Sequence, residues 1–496
     1  MSDERDTRPE IMRLKPTNYV AGQEIESDVL RPVVFSSDNR FCRFELEPKG
    51  HLSSSSSISF SIKPNAGVTR AYVPPNIGIH SLIERAVLRT SSGRVICDVE
   101  EFGHFSSLKS MMKDNDTQTQ REQYLSGRDM DYELHYTNGT NTDAAAYGLS
   151  NGREYMEVGI LQSDAASEGT ASVSGLGHHN FQYITTQDSR TDLTPSFSVV
   201  LHDLFPFLKS SQNRLPLFMF ENDRVQIELY FTPTIRDRVS LTKKDDGVND
   251  REFLIDQNSV ELISDHIFYP QMSLQQMKDA EPSTMGYFDY TLSRQTITAD
   301  DTLASTTDTA QTNTRNIGGA SRIVTKCFSC YAPTGNQEQS VLNKYQALAM
   351  TPTTLQSGEL ESNLFFNERF LYPLNVKNNA RHFFNLYDAD KRHYHTPREV
   401  YSNSGSALLK GASNGHNYEG RNQEGNFAGK QFWQGFRLNR GERIGTKGID
   451  IHMNARGVDG AGAGLPNGTY TQIVYLEVLR TLTMDKNTGQ IEVLFQ

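Results

Sequence analysis

Cys327 and Cys330 stand three residues apart in Cys327-Phe328-Ser329-Cys330, the spacing of a redox pair or half of a zinc site. A second such pair is missing. In a strand, residues three apart face opposite sides of the sheet, so the two sulfurs could not grip one ion. Core packing is their expected role. His393 and His395, with His382, Asp388 and Asp390 nearby, form the best metal-ligand constellation, because strand alternation would turn both imidazoles to one face. Lys391, Arg392 and Arg398 crowd the same segment with positive charge, which opposes a cation, and a surface loop is the expected setting. His178-His179 lies in a Gly/Ser loop and is a weaker candidate.

Other chemistry finds less support. The sequence has no G-x-S-x-G elbow, no phosphate-binding Gly loop with Lys and no H-E-x-x-H helix. Carboxylate pairs such as Glu100-Glu101, or Glu359 and Glu361, are too common among 60 acidic residues to nominate a glycosidase. Asn115, Asn138 and Asn467 head N-x-T sequons and are read as loop residues. Phe365, Phe366, Phe370, Tyr372, Phe383, Phe384 and Tyr387 could line a ligand site, but core or subunit interfaces are the expected place for such aromatic area. No catalytic, cofactor-binding or metal-binding residue is therefore nominated, and a non-enzymatic role without a cofactor is expected.

The chain has 496 residues, more than one core usually serves. Its formal net charge of −11 disfavours a broad electrostatic grip on nucleic acid. Four cysteines do not make a secreted disulfide framework. The opening MSDERDTRPEIMRLKP lacks an apolar stretch of signal-peptide length, so folding in a reducing, intracellular setting is expected. No run of about 18 apolar residues is present to span a bilayer.

The elements that would position any site are mostly strands. Residues 1–30 read as an extended arm of mixed charge. Strand alternation follows at 41–46 and at Ile58, Phe60 and Ile62, with the serines 53–57 as a lead-in loop. Segments 82–90 and 94–99 form a hairpin across Ser91-Ser92-Gly93, and 100–112 has helical spacing through Phe102, Phe105 and Leu108. A polar stretch over about 113–190 is too long for an ordinary loop and is read as a surface insertion. Phe197, Val199 and Leu201 then alternate, a short helix or turn broken by Pro206 follows, and Val225, Ile227, Leu229 and Phe231 alternate with polar residues in a half-buried strand.

After a strand at 261–270, residues 273–280 suggest a short helix. Further strands are expected at 286–297, 322–331, 449–454 and 470–483, with a Thr- and Asp-rich loop at 298–314. The Asn487-Thr488-Gly489 turn leads into 490–495. The closing Glu492–Gln496 resembles what a picornaviral 3C protease leaves after cleavage and equally completes a last strand, which is the reading favoured. The result is two strand-rich units in series with no close sequence repeat between them.

Three passages carry a family resemblance: FSVVLHDLFPFLKSSQNRLPLFMFENDRVQIELYF (197–231), ISDHIFYPQMSLQQMKDAEPSTMGYFDYTLSRQTI (263–297) and TYTQIVYLEVLRTLTMDKNTGQIEVLF (469–495). The chain resembles, from about residue 30 onward, the double jelly-roll major capsid proteins of tailless icosahedral DNA viruses, those of the Polinton-like virus and virophage group above all. The resemblance implies an all-β fold of two tandem eight-stranded jelly rolls, with short helices and long loop insertions. It places an N-terminal arm at 1–30, a first roll at 31–272 holding the 113–190 insertion, and a second roll at 273–496.

It also implies a structural subunit of the virion capsid, made and assembled inside the host cell. Homotrimeric, near-hexagonal capsomers would meet neighbouring capsomers and minor capsid or penton proteins. The arm, with Arg5, Arg8, Arg13 and Lys15, is a candidate for contact with an internal membrane or the genome, without sequence-specific nucleic-acid binding. Two alternatives are a carbohydrate-binding or carbohydrate-active β-sandwich, and a capsid-like scaffold that never enters the virion.

Overall fold

The computed structural model describes residues 24–64, 71–73, 78–111, 125–126, 156–158, 196–209, 215–231, 253–270, 283–299, 311–333, 361–376, 379–390, 433–455, 457–458, 465–466, 468–484 and 491–495. Eight principal strands form the first unit: β1 (Glu24–Leu30), β2 (Phe41–Glu45), β3 (Ser57–Pro64), β4 (Ile83–Thr90), β5 (Val95–Glu100), β6 (Ser196–Val200), β7 (Val225–Phe231) and β8 (Glu261–Phe268). One sheet has the order β1-β8-β3-β6 and the other β2-β7-β4-β5, with short strands added at the margins.

The second unit comprises β9 (Ser283–Ala299), β10 (Gln311–Gly318), β11 (Ile323–Pro333), β12 (Glu361–Phe366), β13 (Arg369–Phe370), β14 (Trp433–Arg443), β15 (Ile449–Ala455) and β16 (Gly468–Met484). Its sheets run β9-β16-β11-β14 and β10-β15-β12-β13. Adding eight to each strand number of the first unit reproduces the second. A last strand, β17 (Ile491–Phe495), pairs antiparallel with β16.

Alternation explains most of these strands. On β3, Ile58, Phe60 and Ile62 enter the first core while Ser57, Ser59 and Ser61 face outward, half-buried. They meet Phe197 and Val199 of β6 and, across the sandwich, Phe231 of β7, whose ring lies 6.3 Å from that of Phe60. Strands β11 and β16 are apolar on both faces because both faces of their sheet are covered. β9 and β16 stay in register over their whole length, from Ser283 opposite Met484 to Ala299 opposite Gly468.

Helix α1 (Phe102–Met111) follows β5, and α2 (Leu201–Leu204) follows β6. Helix α3 (Asn379–Ala389) follows β13, the strand equivalent to β5. It docks on β14 at Gly435, where a Cβ would stand 2.7 Å from the Leu386 Cα. Only glycine lets the helix come this close.

Several expectations need correction. Residues 24–30, assigned above to the terminal arm, form β1, which pairs with β8 from Glu24 opposite Phe268 to Leu30 opposite Leu262. Leu201 opens α2 and does not extend β6. Strand β7 is buried on both faces: Glu228 is covered because Arg89 reaches across to it at 2.5 Å and Tyr230 donates to it at 3.1 Å. Residues 311–314 of the expected loop belong to β10, which pairs with β15. Helix α3 occupies a segment that the sequence presented as an aromatic and histidine cluster. The 273–280 helix, the 487–489 turn and the 113–190 insertion, apart from 125–126 and 156–158, lie outside the described residues.

Candidate functional site

The densest cluster of buried polar chemistry lies where the first unit meets the second. β5 and α1 supply one side, β9 and β16 the other. β16 is long and mostly apolar and β9 is buried where it meets the first unit, so the charged groups enclosed there need partners. Asp289 of β9 is almost fully buried and takes Arg480 of β16 at 3.0 Å and the Cys97 thiol of β5 at 3.1 Å. The same Arg480 donates to the Ile96 carbonyl at 3.0 Å, and the Tyr287 hydroxyl donates to that carbonyl at 2.6 Å. Two side chains of the second unit thus complete the backbone hydrogen bonding of an edge strand of the first.

Nearer α1, the Tyr475 hydroxyl donates to the Glu101 carbonyl at 2.9 Å, and Arg294 reaches the Glu101 carboxylate at 2.7 Å. Glu101 holds a left-handed backbone conformation, φ 51°, at the turn from β5 into the helix. The Phe105 ring packs edge-on against Tyr290 at 4.9 Å and Tyr475 at 5.4 Å. Lys109 donates to the Tyr290 hydroxyl at 2.7 Å, which in turn donates to Glu477 at 2.5 Å. Lys326 and Thr325 hold the same Glu477 at 3.1 and 2.7 Å.

Burial dominates the electrostatics here. It lifts Asp289 to about 6, with Arg480 opposing the rise. It lowers Lys109 to about 8 against the attraction of Glu477, and raises the Cys97 thiol, with Asp289 adding to the rise. Glu477 is also desolvated, yet Lys326, Lys109 and the hydroxyl donors together keep it below the ordinary range. These groups are paired with one another and lie between sheets. The arrangement fastens two units; its chemistry is that of an obligate interface.

No protein-family model matches the sequence, and no curated protein matches it. Solved structures do match in fold. The crystal structure of PBCV-1 VP54 fitted into a reconstruction of the virophage Sputnik is 8% identical with a TM-score of 0.53, covering 98% of this chain and 100% of that one. The quasi-atomic model of the PBCV-1 virus capsid is 9% identical with a TM-score of 0.51, covering 98% and 100%. The Faustovirus major capsid protein is 9% identical with a TM-score of 0.51, covering 97% and 93%. At such identities the likeness is one of fold, and it agrees with the twice-repeated strand order. The chain is a double jelly roll.

Within the double jelly roll, the residues singled out from sequence scatter. Cys327 and Cys330 sit in β11, fully buried with reduced thiols that burial raises. His382 is buried in α3, and Asp388 at the end of that helix is taken by Arg437 at 3.4 Å. His178, His179, His393 and His395 lie outside the described residues, as do Glu359, Asn115, Asn138 and Asn467. Among the described residues no cluster of three His, Cys, Asp or Glu could hold a metal ion.

Glu101 belongs to the junction, while Glu361 accepts from Asn375 at 3.3 Å. The aromatic group divides. Phe366 enters the second core, Phe365 and Phe370 meet His452 edge-on at 5.8 and 5.1 Å, and Phe384 and Tyr387 stay exposed on α3. Lys109, Tyr287, Asp289, Tyr290, Arg294, Tyr475, Glu477 and Arg480 are site residues that sequence reasoning missed. The available signal was Arg480 inside the mostly apolar β16 and Asp289 among the aromatic residues Tyr287, Phe288 and Tyr290.

Proposed function

We propose that this protein is a major capsid protein whose homotrimers form near-hexagonal capsomers that tile an icosahedral virus shell. What supports the reading is one observation: two jelly rolls of identical strand order, fastened by a buried junction, in a chain that matches viral capsid subunits over nearly its full length. Two rolls per chain and three chains per capsomer give six similar corners, the geometry a hexagonal tile needs.

The proposal carries the division into rolls at 31–272 and 273–496, with β1 added to the first, and a place in the virion after assembly in the host cell. It extends to neighbouring capsomers and minor capsid or penton proteins as partners, and to a membrane or genome contact through residues preceding β1. No observation favours the carbohydrate or scaffold readings. The test is solution mass by light scattering together with negative-stain images of the same fraction. A mass of about 167 kDa, three times 55.8 kDa, with hexagonal outlines is expected. A species that stays at 55.8 kDa overturns the reading.

A further inference from the structure

We propose that β1 of one copy receives the β13–α3 corner of a second copy, repeating between chains the junction that joins the two rolls within one chain. The inference rests on the capsomer reading above and names the surfaces that would build it. Inside the chain, edge strand β5 and the helix that follows it pack on edge strand β9 and the outer face of its sheet. By strand order, β13 with α3 is the second roll's counterpart of β5 with α1, and β1 is the first roll's counterpart of β9. The internal junction uses one member of each pair, and among the described residues the other two members are not joined to each other.

The exposed apolar side chains fall at these two places. Ile25 and Val29 share the outer face of β1, and Val33 follows just beyond; all three are between 61 and 67% exposed. On the other roll Phe370 of β13, Leu374, and Phe384 and Tyr387 of α3 are between 45 and 79% exposed. Among the described residues only Phe288, Leu494 and Phe495 are large, apolar and exposed elsewhere. A seven-residue edge strand with apolar side chains on its outward face is also a pairing hazard unless a partner covers it.

The contact as proposed is mainly apolar. Arg381 is exposed on α3 with its guanidinium 5.7 Å from the Phe384 ring, whereas Glu24 and Glu26 lie on the face of β1 opposite to Ile25 and Val29, with Glu26 3.8 Å from Lys49. The internal junction adds one ion pair, the acid Glu101 beside the helix and the base Arg294 on the strand. The contact is heterologous, and it closes into a ring of six rolls, hence three chains, when each junction turns by about 60°; a rotation that does not close would give an open filament.

Cysteine pairs and a short bismaleimide test this. All four native cysteines are buried, and Val29 and Phe384 are exposed enough to be replaced without disturbing the fold. The double variant Val29→Cys/Phe384→Cys should give covalent dimers and trimers on a denaturing gel, and each single variant should give neither. Ile25→Asp/Val29→Asp and Phe384→Asp should each be monomeric alone and combine on mixing into a single-junction pair of twice 55.8 kDa. Cross-linking of Val29→Cys alone would mean β1 pairs with itself and would overturn the proposal. A wild-type trimer whose double-cysteine form does not cross-link, and which survives the charged variants, overturns this pairing and leaves the capsomer reading intact. A wild-type monomer overturns both.

Discussion

Helices α1 and α3 occupy the same place in their rolls, after the fifth strand of each, and meet opposite fates. α1 is enclosed: Phe102, His104, Phe105, Ser106, Ser107 and Leu108 are all buried, with small and polar residues packed as tightly as aromatic ones. α3 keeps one side on β14 through His382, Asn385, Leu386 and Ala389 and leaves Arg381, Phe384 and Tyr387 in solvent. Topology alone therefore does not determine what a helix face must look like. A neighbour supplied by the same chain allows burial on all sides, whereas a face that ends with the chain shows a one-sided pattern.

The comparison can be broken at its strongest point by truncating the two aromatic anchors. Phe105→Ala removes a ring enclosed by two tyrosines and should cost about 3–5 kcal/mol of stability in urea unfolding. Phe384→Ala should change the stability of the isolated chain by no more than about 0.5 kcal/mol. Equal losses would mean that α3 is as enclosed as α1. A smaller effect is expected of Gly435→Ala, whose new methyl would press on Leu386 and Ala389. It should destabilise by about 1–3 kcal/mol, and hydrogen exchange should quicken in α3 while α1 stays protected.

The smallest effect is a pH dependence confined to the filled junction. Burial raises Asp289 to about 6, so the folded chain binds this proton more tightly than the unfolded chain does. Its stabilising contribution is complete below about pH 4 and is lost as pH rises through about 6. Urea midpoints should fall over that interval, and Asp289→Asn should flatten this part of the profile; an unchanged slope would show that the carboxyl titrates normally.

The strands were legible wherever one face was apolar and the other polar. β3 and β15 could be read directly because Ile58-Phe60-Ile62 and Ile449-Ile451-Met453 alternate with polar residues. β10 was not, because Gln-Thr-Asn-Thr-Arg-Asn carries almost no apolar signal and becomes a strand only through its partner β15. α3 was hidden behind its histidine and aromatics, although the buried His382, Leu386 and Ala389 have helical spacing. The repeated strand order left no internal sequence repeat and was legible only through the family resemblance of 197–231, 263–297 and 469–495, since strand order depends on spatial pairing and many side-chain sets satisfy it. The junction was the least legible part, because Cys97 and Asp289 meet from 192 residues apart and nothing local requires it.

The pairing of first strands with last strands also sets a timetable for synthesis. β1 waits for β8, with Ser27 bonding Asp265 across 238 residues, and β9 waits for β16 at the far end of the second roll. A chain growing at about 5–20 residues per second leaves the first roll able to close while the second still lacks its central strand for on the order of ten seconds or more. During that interval β9 has neither its sheet partner nor the arginine that neutralises Asp289. The second roll therefore closes last, once β16 has emerged, and slowly, as long-range strand pairing does. In the proposed capsomer, the α3 corner would be ready for a second copy only once β16 has set its sheet, so chains that have not yet made β16 would be left out.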